Sequence, residues 1–138
     1  MRFEKPVIQV MSEQPVTINS SQTLSDARAL MSKHDIHHLP VVEDERLVGI
    51  ISAGDLVKLS LLFDPENDDD SLNSFLDRQY TIDSVMQKHP VTIGVEGTLR
   101  DAASLLGTGG FHALPVVGYD GRLKGIVTST DLIRLLVD

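Results

Sequence analysis

Two pairs of hydroxyl and carboxyl side chains are the residues best placed for chemistry. Ser52 and Asp55 are three positions apart, and so are Thr128 and Asp131. An ionised carboxylate only accepts hydrogen bonds, so it binds hydroxyl groups and repels phosphate. A hydroxyl residue at the start of a helix, with the free N–H groups there, favours an anion instead. The same spacing also forms a capping box, and capping and ligand binding can coexist.

Three histidines form a second candidate group. His37 and His38 precede one Leu-Pro pair and His112 precedes another, with Ala113 standing where the first pair has His38. Histidine is partly charged near neutral pH and can face a phosphate, and the alternative, three exposed or hydrogen-bonded histidines without a ligand, carries about equal weight here. No nucleophile elbow, zinc-ligand spacing or kinase pattern accompanies these groups. The sequence therefore predicts a protein that is not an enzyme and that has no metal site or obligatory cofactor.

Five acidic residues between positions 64 and 70 are the third candidate group: Asp64, Glu66, Asp68, Asp69 and Asp70. They lack the glycine and the terminal glutamate of a calcium-binding loop. A solvated loop is the favoured interpretation. A metal-responsive module is a weaker alternative.

Composition narrows the class of partner. The 138 residues carry a formal net charge of −8 and contain no cysteine. A nucleic-acid-binding domain is usually basic, so DNA and RNA are not expected as partners. The absence of cysteine fits a reducing compartment. Neither a signal peptide nor an apolar stretch of about 18 residues is present, which predicts a cytoplasmic protein without a membrane segment.

An internal repeat determines the expected architecture. Val10-Met11 recurs as Val85-Met86, 75 positions later (85 − 10). Pro-Val-Thr-Ile recurs at 15–18 and 90–93, Leu-Pro-Val-Val at 39–42 and 114–117, and, after one inserted residue, Gly-Ile at 49–50 and 125–126. A single copy has too little apolar material for a core of its own, so the two copies are expected to fold together.

Each copy reads as strand, helix, strand, strand, helix. In the first copy we predict strands at 15–18, 39–42 and 47–52, a helix over about 24–33 and a second helix from Ala53, which extends to about residue 63. Thr23 is the predicted N-cap of the first helix, with Asp26 completing a capping box. The predicted organisation is repeat 1 at 1–60, an acidic linker with a short helix from 71 to 79 at 61–80, and repeat 2 at 81–138.

These residues carry a family resemblance. The stretch from Ile36 to Asp55 and its counterpart from Phe111 to Asp131, each preceded by Val-Met and Pro-Val-Thr, resemble a tandem pair of cystathionine-beta-synthase (CBS) domains. The resemblance implies an α/β (α+β) fold of two β-α-β-β-α units packed through their sheets around a pseudo-twofold axis. It also implies a regulatory module that binds AMP, ADP, ATP or S-adenosylmethionine in clefts between the copies. Such modules commonly assemble as homodimers and regulate a partner protein, which the sequence does not identify.

The resemblance assigns the nucleotide site residue by residue. It implies that Asp55 and Asp131 bind ribose, that residues 17–18 and 92–93 lie beside the base, and that the histidines face phosphates. The full set of expected nucleotide-binding residues is Thr17, Ile18, His37, His38, Pro40, Ser52, Asp55, Thr92, Ile93, His112, Pro115, Thr128, Ser129, Thr130 and Asp131. An alternative is a ligand-free interaction or dimerisation scaffold, favoured by Ala53, Gly54 and Ala113.

Two further expectations follow. Thr128, Ser129 and Thr130 offer three hydroxyls before Asp131, whereas Asp55 follows one hydroxyl, an alanine and a glycine. The Asp131 site is therefore predicted to bind ribose more tightly. Apolar helix faces after each aspartate (Leu56, Leu59, Leu132, Leu135 and Leu136) predict a homodimer.

Overall fold

The computed structural model describes residues 2–61 and 68–137, which form eight β-strands and six α-helices. In chain order they are β1 (Ser12–Glu13), β2 (Ile18–Asn19), α1 (Leu24–His34), β3 (His38–Glu43), β4 (Arg46–Ser52), α2 (Ala53–Ser60), α3 (Asp69–Gln79), α4 (Ile82–Val85), β5 (Gln87–Lys88), β6 (Ile93–Gly94), α5 (Leu99–Leu106), β7 (Ala113–Val117), β8 (Leu123–Thr128) and α6 (Ser129–Arg134). Two short 3-10 helices, Arg2–Glu4 and Val7–Gln9, precede β1. The fold is a mixed α+β fold, as the sequence predicted. It has two four-stranded sheets, each with one strand more than the three predicted for a copy.

The chain divides into two compact units. Unit 1 comprises residues 1–15, 45–47 and 90–138, and unit 2 comprises residues 16–44 and 48–89. The predicted repeat boundaries at residues 60 and 80 follow the period of the sequence and not these structural units, and they stay a prediction.

Unit 2 contains the sheet β2-β3-β4-β5. β2 runs parallel to β3, with Ile18 opposite Val41, and β4 runs antiparallel to β5, with Gly49 opposite Lys88. Helices α1, α2 and α3 belong to the same unit. Its core contains fully buried Leu24, Leu39, Ile51 and Leu76.

Unit 1 repeats this pattern with the sheet β1-β8-β7-β6. β6 runs parallel to β7, with Ile93 opposite Val116, and β7 pairs antiparallel with β8, with Ala113 opposite Thr128. Its core contains Leu114, Val116 and Val127 together with Val7 from the N-terminal segment.

Capping boxes start the helices where the sequence predicted them. The Thr23 side chain accepts a hydrogen bond from the Asp26 N–H at 3.2 Å, and Asp26 accepts one from the Thr23 N–H at 3.1 Å. Thr98 and Asp101 do the same at the start of α5. The predicted order of strand, helix, strand, strand and helix is confirmed in both copies.

Two local predictions were wrong. The first strand of copy 1 covers only Ile18–Asn19, not residues 15–18. Gln14 adopts a left-handed φ of 48°, and Pro15 has no N–H, so strand pairing begins later. Leu56 is not on an exposed apolar face, because it is only 5% exposed and belongs to the core of unit 2.

The linker contains a longer helix than predicted. α3 begins at Asp69, and the Asp68 side chain caps it by accepting a hydrogen bond from the Ser71 N–H at 2.8 Å. The α2 helix ends at Ser60, and the predicted extension to residue 63 falls mostly outside the described residues, as do Asp64 and Glu66.

Each of the two segments that precede a copy of the repeat pairs with a strand of the other copy. β1 pairs with β8, which is more than 110 residues away in sequence, and β5 pairs with β4 of the first copy. Apart from residues 45–47, the chain passes from unit 1 to unit 2 after Pro15 and returns to unit 1 after His89. Gln14 and His89, at or next to these points, both have positive φ. Each sheet therefore takes its outermost antiparallel strand from the segment that precedes the other copy.

Candidate functional site

Each candidate aspartate lies in the first turn of a helix that directly follows a strand. In unit 2 the Ser52 side chain accepts from the Asp55 N–H at 3.1 Å, and Asp55 Oδ2 accepts from the Ser52 N–H at 3.1 Å. In unit 1 the Thr128 side chain accepts from the Asp131 N–H at 3.2 Å, and Asp131 Oδ2 accepts from the Thr128 N–H at 2.8 Å. Both pairs are therefore capping boxes.

Capping uses only one oxygen of each carboxylate. Within residues 2–61 and 68–137, the Oδ1 atoms of Asp55 and Asp131 make no hydrogen bond. Both aspartates are half-buried. Because a carboxylate can accept about four hydrogen bonds, each keeps acceptor capacity for the hydroxyl groups of a ligand.

The backbone carbonyls of His37 and His112 are hydrogen-bonded to the same two junctions. The His37 carbonyl accepts from the N–H of Ala53 at 2.8 Å, and the His112 carbonyl accepts from the N–H of Ser129 at 2.9 Å. These bonds satisfy one of the free N–H groups at each helix start. Both histidine side chains are exposed, whereas His38 is half-buried and its counterpart Ala113 is buried.

The threonines and prolines expected at the site lie further along the strands. Thr17 and Thr92 directly precede β2 and β6, whose first residues pair with Val41 and Val116, the residues that follow Pro40 and Pro115. Pro40 and Pro115 each lie three residues after the histidine that directly precedes the strand, His37 or His112, which is roughly 10 Å of extended chain. Each unit therefore holds its expected residues as two separate groups on one sheet.

The isoleucines of the expected site are core residues. Ile18 is 1% exposed and Ile93 is 6% exposed. Their side chains fill the hydrophobic cores, so any contact that they make with a base would use their backbone groups. Pro40 and Pro115 are buried as well.

The Asp131 junction has the richer set of free hydroxyls. Ser129 is half-buried and Thr130 is exposed, and neither side chain makes a hydrogen bond in the part of the chain that the structure describes. Their counterparts Ala53 and Gly54 have no polar side chain. The two junctions therefore share a capping box and differ in the donors around it.

A groove of about 270 Å³ borders the Asp55 junction inside unit 2. Its lining residues are Asp55, Lys58, Leu59, Tyr80, Ser84 and Val85. Of these, only Asp55 was predicted from the sequence as a site residue. The spacing Asp-x-x-Lys, matched by Asp131 and Arg134, could have pointed to Lys58. No local sequence pattern predicts that residues 80–85 line a groove together with α2.

No metal site is seen in the described residues. Among residues 2–61 and 68–137, no three histidine or acidic side chains are grouped so that they could hold a metal ion. Two of the five acidic residues suggested for such a site, Asp64 and Glu66, are not described. In the same described residues, no helix is both long and apolar enough to cross a bilayer.

Known proteins place this arrangement in a family. The CBS domain model matches residues 7–62 and 82–138, which is most of the chain. The chain belongs to the CBS domain family. It is 39% identical over 133 residues to a CBS domain-containing protein of Dictyostelium discoideum, covering 95% of this chain and 90% of that relative. CBS domains also occur in larger proteins: the chain is 28% identical to L-aspartate semialdehyde sulfurtransferase of Methanocaldococcus jannaschii, but covers only 22% of it.

Solved CBS structures show the same fold with bound ligands. One is CBSX2 in complex with AMP, with a TM-score of 0.79, 28% identity and coverage of 96% of both chains. Another is the CBS domain pair of protein MJ0100 with 5′-methylthioadenosine and S-adenosyl-L-methionine, also with a TM-score of 0.79, 28% identity and coverage of 96% of both chains. The ligands in these relatives all contain an adenosine group.

Proposed function

We propose that this chain is a regulatory module that binds an adenosine-type nucleotide at its two strand–helix junctions and does not turn it over. The observation that carries the proposal is the doubled junction, in which an aspartate caps the helix with one carboxylate oxygen and keeps the other free. The free oxygen suits the two hydroxyls of a ribose. The relatives crystallised with AMP and with S-adenosyl-L-methionine support this ligand class.

In this proposal each residue group has a distinct role. Asp55 and Asp131 accept from the ribose hydroxyls, while Ser52, Thr128, Ser129, Thr130 and the histidines face the phosphate side. Backbone groups of residues 17–18 and 92–93 read the edge of the base. The candidate ligands are AMP, ADP, ATP and S-adenosylmethionine.

Regulation would follow from population shift. A ligand that binds one conformation of the module more tightly moves the equilibrium towards it, and a partner protein that contacts the module responds. A cytoplasmic setting is part of the proposal and is supported by the absence of cysteine.

The chain offers an internal control for testing the ribose role. Asp26 and Asp101 form the same capping box as Asp55 and Asp131, but at the starts of α1 and α5. We expect Asp55→Ala and Asp131→Ala to weaken binding of AMP or ATP by about tenfold or more in calorimetry. Asp26→Ala and Asp101→Ala should lose comparable helix-cap stability, about 0.5–2 kcal/mol, and keep their affinity.

The same titrations rank the two junctions. Because Ser129 and Thr130 add two hydroxyl donors, we expect Asp131→Ala to cost more affinity than Asp55→Ala. If Asp55→Ala abolishes binding and Asp131→Ala does not, the ranking is wrong. If the four variants behave alike, the aspartates act only as caps and the ribose role fails.

A ligand-free interaction scaffold is the second candidate. Exposed Val57 and Leu61 at α2, and exposed Ile133 and Leu136 at α6, favour it. Absence of binding of AMP, ATP and S-adenosylmethionine by the wild-type chain would support the scaffold. Phosphate release from ATP that scales with protein and survives further purification would overturn the proposal that the module has no turnover.

A further inference from the structure

The groove beside Asp55 contains a positive charge that the proposed ribose contact does not use. Lys58 lies one helical turn after Asp55, and both residues line the groove. We propose that Lys58 binds the phosphate of the ligand and makes this groove selective for anionic adenosine nucleotides over uncharged or cationic adenosyl compounds. This inference rests on the proposed function and specifies the ligand class of the unit 2 site.

The charges of Lys58 and Asp55 are both available. Residues three apart on a helix lie on the same face, with their Cβ atoms about 5–6 Å apart. In the described residues Lys58 makes no ion pair or hydrogen bond, and Asp55 keeps its Oδ1 atom free. A ligand with adjacent hydroxyls and a nearby phosphate matches an acceptor and a cation at this spacing.

The remaining walls suit a flat ring. The Tyr80 ring is held edge-on against Phe75, with ring centroids 6.5 Å apart and planes at 83°. Leu59 and Val85 add apolar surface. The hydroxyl of Ser84 donates to the Thr81 carbonyl at 2.8 Å and is therefore already engaged. Among the six residues that line the groove, Lys58 is the one cation.

The second copy repeats the charge. Arg134 follows Asp131 by three residues, as Lys58 follows Asp55, although residues 53–54 and 129–130 differ completely. Lys58 and Arg134 are both exposed, so packing does not require either of them. A cation in the last turn of a helix also stabilises the helix dipole, and the experiment has to separate that effect from phosphate binding.

The test compares AMP with adenosine, which differ by the phosphate alone. In an Asp131→Ala background, which leaves the Asp55 junction as the candidate site, Lys58→Gln is titrated with both ligands by calorimetry. We expect AMP affinity to fall by about fivefold to tenfold and adenosine affinity to stay within about twofold. The salt dependence of AMP binding should also decrease. Lys33→Gln, in the last turn of α1, controls for the helix-dipole effect and should change neither affinity.

The outcomes separate this inference from the proposed function. If AMP and adenosine lose affinity equally, or if neither does, Lys58 does not bind phosphate, while adenosine binding itself stands. If S-adenosylmethionine binds the parent protein more tightly than AMP does, the claimed selectivity is wrong. If the parent protein binds none of these ligands, the proposed function fails and this inference fails with it.

Discussion

At the scale of single residues, the same local geometry occurs in different surroundings. Four capping boxes, those of Asp26, Asp55, Asp101 and Asp131, have the same hydrogen-bond pattern. The difference lies in their surroundings, because Asp26 and Asp101 are exposed whereas Asp55 and Asp131 are half-buried. The helices of Asp55 and Asp131 also begin with a hydrogen bond to the carbonyl of a histidine, His37 or His112. A motif of this kind therefore identifies candidate positions, and its environment decides which of them can hold a ligand.

Two glycines are needed because another segment approaches them closely. A Cβ added to Gly49 would lie 2.9 Å from the Cγ atom of Met86 and 3.0 Å from the Gln87 carbonyl oxygen. A Cβ on Gly125 would lie 2.9 Å from the Cγ atom of Met11 and 2.8 Å from the Ser12 carbonyl oxygen. The β5 and β1 segments thus pack against these glycines in the same way in both units.

We predict that Gly49→Ala and Gly125→Ala destabilise the protein by about 1–3 kcal/mol, because backbone atoms must move to admit the methyl group. Urea denaturation measures the change. Gly54→Ala is the control, since its nearest neighbour, the Ser52 side-chain oxygen, is 3.7 Å away and alanine favours the helix. Equal stability of the three variants would contradict the packing described for β1 and β5.

At the scale of elements, α3 is an addition between the two copies that is fixed to α1. The Asp77 carboxylate accepts from the Ser25 N–H at 2.9 Å and from the Ser25 hydroxyl at 2.6 Å. Arg28 of α1 pairs with Asp69 of α3 at 3.6 Å. The linker helix therefore places a negative charge at the N-terminus of α1, where the helix dipole favours it.

Asp77→Ala is expected to lower the free energy of unfolding by about 1 kcal/mol, because it removes two hydrogen bonds at a helix start. Asp77→Asn should lose less, since its amide oxygen still accepts one of these bonds. Asp70→Ala provides a matched control, as Asp70 is an exposed residue of the same helix without a hydrogen bond or ion pair in the described residues. A loss as large in Asp70→Ala would show that the effect comes from α3 itself and not from its contact with α1.

The cap of α3 should depend on pH. Hydrogen bonds from the Ser71 N–H, and then from the Ser71 hydroxyl, lower the pKa of Asp68 below its ordinary value. Because the pKa is lowered in the folded chain, the contribution of the cap is fully present above the ordinary aspartate pKa. It is lost as pH falls through the lowered value.

A carboxyl titration by NMR measures this pKa directly. We expect the pKa of Asp68 to lie below that of an unstructured aspartate and to move part of the way back in Ser71→Ala, which keeps the backbone bond. A pKa of Asp68 at or above the ordinary value would mean that the cap does not form in solution.

At the scale of the whole molecule, apolar residues that the fold leaves exposed predict a homodimer. Leu61 at the end of α2 is 77% exposed, and Leu136 after α6 is 70% exposed. Within each unit an exposed apolar residue lies one helical turn earlier, Val57 before Leu61 and Ile133 before Leu136, and exposed apolar patches commonly mark an interface. A second copy of the chain is the partner that we expect to cover them.

Light scattering should give twice the chain mass of 15.1 kDa. Leu61→Lys and Leu136→Lys should shift the mass towards the monomer. Tyr119→Lys, at a turn residue that is 90% exposed, should leave it unchanged. A monomer mass at every concentration would refute the dimer.

The repeat, the order of elements in each copy and most helix starts are predictable from the sequence alone. These features depend on local chemistry. Apolar periodicity selects strand or helix, and the spacing of Thr23 to Asp26, or of Ser52 to Asp55, encodes a cap within one turn. The same local information located Asp55 and Asp131 as candidate site residues, and it could not tell a cap from a ligand contact.

The segment that completes each sheet and the surroundings of each aspartate are set by contacts between distant parts of the chain, and the sequence did not predict them. β1 and β5 are two residues long and exposed, so no apolar pattern marks them, and their partners lie about 110 and 40 residues away in sequence. Tyr80 and Ser84 also line the groove beside Asp55 through long-range packing that no local pattern marks. Hydrogen bonding and packing between distant segments depend on the whole chain, and a local pattern carries no information about them.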